Sequence, residues 1–365
     1  MIEQRILLTT DVVGGVWDFC VALTDALRAS ARVTLLALGA PSPAQRAAAE
    51  GVGANLVSVP LKLEWMQDCE ADVARTRELV ATIARDLRPS VIHANHFAAA
   101  CADVDVPVVL TVHSDVLSWR RWTYGSEDVP PEWQSYAGLV REALTRADAV
   151  VAVSRFMANE VRARYGVDRR IEVIHNGWPP TARVSTRLGR TTLVAGRIWD
   201  SAKNISLAAR AAQDWDPGNV YLAGEQCHPE HGHPADVPPP LKALGFLPRA
   251  DLDAWLRRSS VYLSTARYDP FGLLPLQAAL NGCALLLSDI PSYRELWDGA
   301  ACFFHSDDAA DLRRKWQTLL DDDDGDGVAE LGRRALERAT SRYTLHRMVG
   351  AYAALYANLR GRVAA

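Results

Sequence analysis

Short apolar segments alternate with helical segments along nearly the whole chain, and this alternation restricts the fold more than any other feature. The chain opens with an apolar strand at residues 5–10, a glycine turn at Gly14-Gly15, and a helical pattern that reaches about Arg28. Further strands are predicted at residues 33–38, 56–59, 91–94, 106–112, 149–153 and 171–174, with helices between them that include residues 72–87 and 134–146. This pattern is typical of a parallel, doubly wound α/β sheet.

A proline-containing seam divides the pattern in two. Pro179-Pro180 is incompatible with a helix interior or a central strand, so we place a domain linker at residues 178–189. The alternation then restarts, with strands predicted at residues 192–195, 220–223, 243–246, 261–264, 283–287 and 301–304. We predict an N-terminal Rossmann-like domain at residues 1–177 and a second one at residues 190–340. The tail reads as helical over residues 333–360, and we expect the part at 341–365 to pack back toward the N-terminal domain.

Composition excludes several classes of protein. With 365 residues, 49% of them hydrophobic, and a net charge of −4, the chain is expected to be globular with two domains and not to bind nucleic acid. No apolar run approaches the ~18 residues that a membrane-spanning helix needs. The N-terminus has no signal-peptide pattern either, so we expect a cytoplasmic protein.

Residues 264–295 have the sequence of a ligand site between two buried strands. Asp269-Pro270 is a good helix start, because Asp caps well and Pro suits the first turn, so a helix is predicted from about residue 272 to 281. Gly282 is expected to end it in the left-handed conformation. The free amides at the start of this helix, together with its dipole, favour an anion such as a phosphate. The alternative is that Asp269 only caps the helix.

Polar residues follow the carboxyl ends of strands in both halves. They are Asp11, Gly14, Asn95, His96, His113, Ser114 and Ser154 in the first half, and Gly196, Arg197, Gly224, Glu225, Gly245, Arg267, Asp269 and Asp289 in the second. Ligands of open α/β sheets bind outside the carboxyl ends of the strands. Two such sheets facing each other would build one cleft, and clefts between domains are favoured ligand sites.

The order and spacing of several motifs resemble the donor domain of retaining glycosyltransferases of family 4. The motifs are Val194-Ala195-Gly196-Arg197 with Lys203-Asn204, Ala223-Gly224, Gly245-Phe246-Leu247-Pro248, and the run DPFGLLPLQ from Asp269 to Gln277, which Asn176-Gly177 and Gly14-Gly15 accompany. The resemblance covers nearly the whole chain and implies a GT-B fold, with two Rossmann-like domains facing across a cleft. The family has glutamate at both ends of the last motif, where this chain has Asp269 and Gln277.

The resemblance implies retaining hexosyl transfer from a nucleoside-diphosphate sugar, with UDP preferred over GDP or ADP, to a small-molecule or glycan acceptor held mainly by the N-terminal domain. It assigns catalytic roles to His113, Arg197, Lys203 and Asp269. It assigns substrate binding to Gly14, Gly15, Gly196, Phe246, Leu247, Phe271, Gly272, Leu273, Leu274 and Gln277. Such a site requires no metal and no other cofactor.

The chemistry of these residue types suits the implied reaction. The leaving diphosphate gathers negative charge, which the bidentate fork of Arg197 and the compact charge of Lys203 can stabilise. Most Arg and Lys are solvated surface residues, which is the alternative for this pair. His113 ends a strand, and in similar enzymes a histidine here contacts the transferred sugar. A histidine satisfied within the core is the other interpretation.

Three other features are interpreted as structural or secondary. Residues 321–327 (DDDDGDG) resemble the start of a calcium loop, but the twelfth position, which needs Glu, is Arg333, so we predict a solvated acidic loop. Cys227, His228, His231 and His233 lie close together without zinc-site spacing. Trp119, Trp122 and Trp133 accompany Arg120-Arg121; we favour acceptor contact there, with anionic lipid headgroups or loop packing as alternatives.

Two further functions fit the same residues. The substitutions at Asp269 and Gln277 suggest a catalytically silent nucleotide-sugar binding or scaffold protein. A sugar phosphorylase on the same fold is the third hypothesis. Slow donor hydrolysis distinguishes an enzyme from the silent protein, and dependence on phosphate identifies the phosphorylase.

Overall fold

The computed structural model describes residues 4–181, 189–321 and 326–363. The elements up to residue 177 are β1 (Gln4–Asp11), α1 (Gly15–Leu27), β2 (Ala31–Leu38), α2 (Pro43–Gly51), β3 (Asn55–Val59), α3 (Glu70–Leu87), β4 (Val91–Ala94), α4 (Phe97–Ala100), β5 (Val108–Val112), α5 (Val116–Tyr124), α6 (Gln134–Arg146), β6 (Ala149–Ala152), α7 (Arg155–Tyr165) and β7 (Glu172–Val173).

The elements after residue 177 are β8 (Thr191–Ala195), α8 (Ile205–Ala211), β9 (Asn219–Ala223), β10 (Cys227–His228), β11 (His231–Pro234), β12 (Lys242–Gly245), α9 (Arg249–Arg258), β13 (Val261–Ser264), α10 (Leu273–Leu280), β14 (Ala284–Ser288), α11 (Pro291–Trp297), β15 (Cys302–Phe304), α12 (Ala309–Leu320), α13 (Asp326–Arg342) and α14 (Leu345–Val363). Short 3₁₀ turns lie at Pro131–Trp133 and Ser201–Lys203.

The chain forms two compact units. Among the described residues, the first comprises the chain up to Arg121, Ser126–Gly177 and the segment from Leu345 onward. The second comprises Trp122–Gly125 and the described part of Trp178–Thr344. The two ends of the main segment of the second unit are neighbours: the Trp178 amide donates to the carbonyl of Tyr343 at 3.1 Å. Residues 182–188 of the predicted linker and residues 322–325 of the acidic run lie outside the described residues.

Strands of the first unit form a parallel sheet in the order β3-β2-β1-β4-β5-β6-β7. Leu8 pairs with Leu35 on one side and with His93 on the other, so the strand that opens the chain lies in the interior of the sheet. The core beside this sheet includes Phe19 of α1 and Tyr352 of α14, and both side chains are buried. The sheet winds outward in both directions from β1, which is the doubly wound pattern.

The second unit repeats this architecture with six parallel strands in the order β12-β9-β8-β13-β14-β15. Its central strands are apolar and buried, as expected when helices cover both faces of a parallel sheet. Trp316 of α12 is buried in the core of this unit, and its indole N–H donates to Thr192 at 3.1 Å. The predicted fold class, two doubly wound α/β domains, is therefore confirmed.

One helix prediction is wrong. The tail was expected to be one helix over residues 333–360, but the chain breaks at Tyr343-Thr344 and continues as α14. The break allows Thr344 to pair with Trp178, while α14 packs against α1 in the first unit. None of the helices in the described segments is long and apolar enough to cross a bilayer.

Candidate functional site

Three strands of the second unit end in glycines that lie against one another. Gly196 directly follows β8, Gly224 directly follows β9, and Gly245 is the last residue of β12. Their φ values are 155°, 150° and 70°. The Gly196 amide donates to Ala223 at 3.0 Å, and the Gly224 amide donates to Gly245 at 2.9 Å. A Cβ added at Gly224 would lie 1.7 Å from the carbonyl oxygen of Gly196. Glycine is therefore required at Gly224, and this edge of the sheet presents backbone instead of side chains.

Arg197 is held by a carboxylate and an aromatic ring. Its Nη2 atom lies 2.7 Å from Oδ2 of Asp200, and its guanidinium carbon lies 5.2 Å from the ring centre of Trp199. Trp199 in turn packs edge-on against His228 of β10, with the ring centres 4.5 Å apart. The Arg197 side chain is 39% exposed. These contacts fix the direction of the guanidinium while leaving part of it open to a ligand.

Lys203 and Asp269 form an ion pair, with Nζ and Oδ2 3.0 Å apart. The Tyr293 hydroxyl donates to the same carboxylate oxygen at 3.1 Å and lies 2.9 Å from the Ser264 hydroxyl. Since the Tyr293 proton is used on Asp269, Ser264 is the donor in its contact with Tyr293. The main chain at Lys203 is also fixed, because Thr265 donates to its carbonyl at 2.9 Å. The structure thus brings together Lys203 and Asp269, two residues to which the resemblance assigns catalytic roles.

The helix after Asp269 begins later than its expected cap. Helix α10 starts at Leu273, its N-cap is Gly272 with φ 80°, and no side chain caps it. The prediction that Asp269 caps this helix is therefore wrong, since its carboxylate is occupied by Lys203 and Tyr293. The predicted end is confirmed: Gly282 has φ 76°, and the Gly282 and Cys283 amides donate to Ala279 and Ala278 at 2.9 Å each.

The remaining predicted binding residues of this unit differ in exposure. Phe246 is 69% exposed and Leu247 is half-buried beside it, directly after β12. Phe271 is buried and packs against Tyr343, with ring centres 5.7 Å apart, so its ring belongs to the core. Gln277 on α10 is 4% exposed, and its Oε1 atom is buried without a hydrogen-bond partner among the described residues. A buried acceptor of this kind is suited to a donor from a bound ligand. Leu273 and Leu274 are half-buried in the first turn of α10.

In the first unit, the glycine turn precedes α1. Gly14 is the N-cap of α1 with φ 100°, and both Gly14 and Gly15 are exposed. The turn is supported by Asp11, whose Oδ1 accepts from the Val13 amide at 2.7 Å. The exposed amides at the start of α1 therefore lie directly after the carboxyl end of β1.

His113 follows β5 and contacts two neighbours in the same unit. Its Nε2 lies 2.8 Å from Oδ1 of Asn95, and its ring packs edge-on against Phe19 at 4.8 Å between centres. Burial lowers the pKa of His113 to about 4. The charge of Asp11 acts in the opposite direction, and the charge of His96 lowers the pKa slightly further. His113 is therefore neutral at physiological pH.

A second buried group at this edge was not assigned a role from the sequence. His96 Nε2 lies 3.6 Å from Oδ2 of Asp11, and Glu64 accepts from the Phe97 amide at 2.8 Å. Burial lowers the pKa of His96, but the nearby carboxylates of Asp11 and Glu64 outweigh it, so the net pKa is raised. Burial raises the pKa of Glu64. His96 had the signal of a strand-end polar residue, whereas Glu64 comes from an irregular segment with no recognisable motif.

Two doubly wound α/β units, with glycines and paired cations at the strand ends of the second, are the architecture of the GT-B fold. The family model "Glycosyltransferase Family 4" matches residues 13–181, and the model "Glycosyl transferases group 1" matches residues 189–322. The chain belongs to the family 4 glycosyltransferases.

Relatives and solved structures agree with this membership. Glycogen synthase from Mycobacterium tuberculosis is 27% identical over 300 residues, which cover 74% of this chain and 69% of that protein. Sucrose-phosphate synthase from Thermosynechococcus elongatus superposes with a TM-score of 0.78 at 15% identity, covering 99% of this chain and 100% of that one. HepE from Anabaena, in complex with UDP-glucose, gives 0.73 at 19% identity, covering 98% and 100%. At these identities the structures show the shared fold.

Proposed function

We propose that this glycosyltransferase moves a hexosyl group from UDP-sugar to an acceptor hydroxyl, with retention of anomeric configuration and without a metal ion. The observation that carries the proposal is the group of Arg197, Lys203 and the start of α10 at the strand ends of the second unit. Arg197 is partly exposed beside Asp200, and Lys203 is paired with Asp269. Two cations and the free amides of a helix start are the groups that stabilise a departing diphosphate.

The same groups support the proposal that no metal is required. A metal ion in a transferase of this kind neutralises the diphosphate as the bond to the sugar breaks. Here Arg197 offers a planar fork and Lys203 a point charge, and the positive end of the α10 dipole adds to both. We expect turnover to survive EDTA, and complete loss that Mg²⁺ or Mn²⁺ restores would contradict this part of the proposal.

The choice of UDP is supported by the residues after β12. Phe246 presents an exposed aromatic ring next to the backbone of Gly245 and Leu247, and such a ring can stack on a nucleobase while the backbone reads its polar edge. Gln277 supports the ribose position, because its buried Oε1 has no protein donor among the described residues and can accept from a ribose hydroxyl. Two of the similar structures, both of HepE from Anabaena, are complexes with UDP and with UDP-glucose.

Retention and the acceptor are proposed from membership of the family. His113, neutral at the end of β5, is assigned to the transferred sugar, and the acceptor is assigned to the strand ends of the first unit near Gly14 and Gly15. The acceptor class is a hydroxyl-bearing small molecule or glycan. Peripheral contact with a membrane through Trp119 and Trp122 remains the weaker alternative to acceptor contact.

The proposal is tested first by binding and then by turnover. Melting-temperature shifts with UDP, GDP and ADP select the nucleotide, and the matching nucleotide-sugars select the donor. Slow donor hydrolysis, followed by proton NMR of the released sugar, then reports the anomeric configuration. Retention is expected; an inverted first product contradicts it. Binding without hydrolysis or transfer to any acceptor favours the silent binding protein, and dependence on inorganic phosphate favours the phosphorylase.

Arg197→Ala tests the diphosphate site within this scheme. Removing one preorganised charge donor is expected to lower kcat by about 10²-fold or more. Arg210→Ala is the matched control, because Arg210 is an exposed arginine of the same unit whose Nη1 donates to Ser206 on its own helix. An Arg197→Ala enzyme with unchanged kcat would place the diphosphate elsewhere.

A further inference from the structure

The orientation of the Asn95 side-chain amide is determined by its surroundings. Its Nδ2 atom lies 2.7 Å from the carbonyl oxygen of Thr9 and 3.3 Å from the sulfur of Cys20. A carbonyl oxygen only accepts, so the atom that faces it must be the amide N–H₂ group. The Oδ1 atom therefore faces His113, at 2.8 Å from Nε2.

This orientation determines which nitrogen of His113 carries the proton. Because Asn95 Oδ1 only accepts, the Nε2 atom of His113 must be its donor. A neutral imidazole carries one N–H, so its Nδ1 then has a lone pair. Among the described residues no group binds this Nδ1, and the side chain is half-buried, not sealed.

The groups around His113 keep the ring neutral. Asp11 at the end of β1 favours the charged ring, but burial and the neighbouring His96 after β4 oppose it, and the pKa falls to about 4. Phe19 and Cys20 from α1 carry no charge here, because burial raises the Cys20 pKa far above its ordinary value. His93 on β4 is neutral as well, since burial lowers its pKa to about 3.

We propose that Asn95 is a positioning residue that holds His113 in the Nε2–H tautomer, so that Nδ1 accepts a hydrogen bond from a hydroxyl group of the substrate. The partner of His113 is then a sugar hydroxyl and not a phosphate oxygen, because a lone pair repels an anion that can only accept. The assignment to a substrate hydroxyl rests on the proposed glycosyl transfer. The tautomer itself does not, and it can be observed without any substrate.

The first measurement is ¹⁵N–¹H NMR of the side-chain nitrogens of the intact, ligand-free protein. The expected result is a protonated Nε2 and an unprotonated Nδ1 for His113 across pH 6 to 8. An Nδ1–H tautomer, or an imidazolium at pH 7, overturns the proposal whatever the enzyme does with sugars. The His93 signals, from a histidine bound by Thr111 and Tyr356, serve as the internal reference for intact packing.

The second measurement uses Asn95→Asp, which places a carboxylate beside Nε2. A nearby negative charge raises the pKa of a histidine, so His113 should become an imidazolium near neutral pH and Nδ1 a donor. We expect kcat to fall below the new pKa and to recover in alkaline buffer, since each pH unit below it leaves about one-tenth as much neutral ring. Asn55→Asp adds the same charge at an exposed site on β3 and should leave the pH profile unchanged.

Asn95→Ala gives a second readout if Asn95→Asp folds poorly. Without Oδ1, the ring should populate both tautomers in the NMR spectrum, and kcat should fall while UDP binding stays within about twofold. A spectrum still showing only Nε2–H in Asn95→Ala contradicts the positioning role. If the wild type shows the Nε2–H tautomer and Asn95→Ala loses it, but the wild type acts on no donor, the proposed function is contradicted and the positioning role of Asn95 is not.

Discussion

Both cations of the candidate site are already paired with carboxylates in the second unit. Lys203 lies 3.0 Å from Asp269, and Arg197 lies 2.7 Å from Asp200. A diphosphate must therefore share each cation with its carboxylate or displace it. Asp200 is 2% exposed and also accepts from the Ala202 amide, which keeps its carboxylate in place. The Asp269 carboxylate is 17% exposed, and its one further partner within the described part of the chain is Tyr293. The Lys203–Asp269 pair is thus the one that a ligand can reorganise.

Asp269→Asn separates the two roles of this carboxylate. Removing the charge frees Lys203, so UDP should bind as tightly as before or more tightly. We assign the Asp269 carboxylate to a hydroxyl of the donor sugar, so turnover should fall strongly when that contact loses its charge. Helix α10 should be unaffected, since Gly272 is its cap. Both effects can be tested on one preparation, by isothermal titration calorimetry with UDP for binding and by kcat for turnover. A fully active variant would show that the carboxylate only balances Lys203.

Gln277→Glu tests the buried acceptor on α10. The side chain is 4% exposed, and a carboxylate buried without a partner is costly until a ligand provides donors. We expect a lower melting temperature for the ligand-free variant and a larger stabilisation by UDP than in the wild type. Gln277→Leu, which removes the acceptor without adding charge, is the control and should weaken UDP binding. An unchanged UDP-induced shift in both variants would place the ribose elsewhere.

At the scale of elements, the site depends on how closely three strand ends approach. The positive φ of Gly224 and the 1.7 Å approach of an added Cβ to the Gly196 carbonyl leave no room for a side chain. The neighbouring atom is backbone, so it cannot rotate away. The loop that carries Arg197 begins at this contact, which links the geometry of the glycines to that of the cation.

Gly224→Ala should therefore disrupt both stability and ligand binding. Overpacking costs about 1 to 3 kcal/mol, and strained backbone at this φ adds to that. We expect a drop in melting temperature together with weaker UDP binding, because Gly196 and Arg197 must shift. Gly232→Ala is the matched control in the same unit, where an added Cβ meets nothing within 4 Å. Equal stability of the two variants would contradict the close contact.

At the scale of the whole molecule, the C-terminal helix is fastened to the first unit by a buried polar group. His93 on β4 lies 2.7 Å from the Tyr356 hydroxyl and 2.7 Å from the Thr111 hydroxyl, which itself lies 3.0 Å from the Tyr352 hydroxyl. Tyr352 and Tyr356 both belong to α14, and both are buried. This unit therefore includes a segment from the far end of the chain, held by a histidine that must stay neutral.

Stability should consequently depend on pH. Burial lowers the pKa of His93 from 6.5 to about 3, so between these values the unfolded chain binds a proton that the folded chain does not. Its contribution to stability is present above pH 6.5 and is lost as the pH falls toward 3. His113 acts in the same direction, and His96, with its raised pKa, acts in the opposite one. The effect can be isolated by measuring the melting temperatures of the wild type and of His93→Gln between pH 7 and pH 4. The melting temperature of the wild type should fall further than that of the variant. Equal falls would contradict a contribution from His93.

Much of this could be predicted from local sequence. Strands β4 and β13 and helix α6 have the predicted bounds, because apolar runs bounded by turn residues report burial directly. The Schellman ending at Gly282 was also predictable, since only a residue tolerant of positive φ fits there. The start of α10 was not, because Asp269 has a stronger partner in Lys203, 66 residues earlier, than in any amide of its own segment.

The alternation of apolar and helical segments, by itself, determined the doubly wound class and the placement of polar residues at strand ends, because parallel strands bring their carboxyl ends to one edge. The tertiary structure alone decided which of those residues meet. Asp269 reaches Lys203, Asn95 reaches His113, and Tyr352 and Tyr356 reach Thr111 and His93 across 18 to 263 residues of sequence. No local pattern encodes such pairs, since each contact depends on strand order and on the packing of helices contributed by distant parts of the chain.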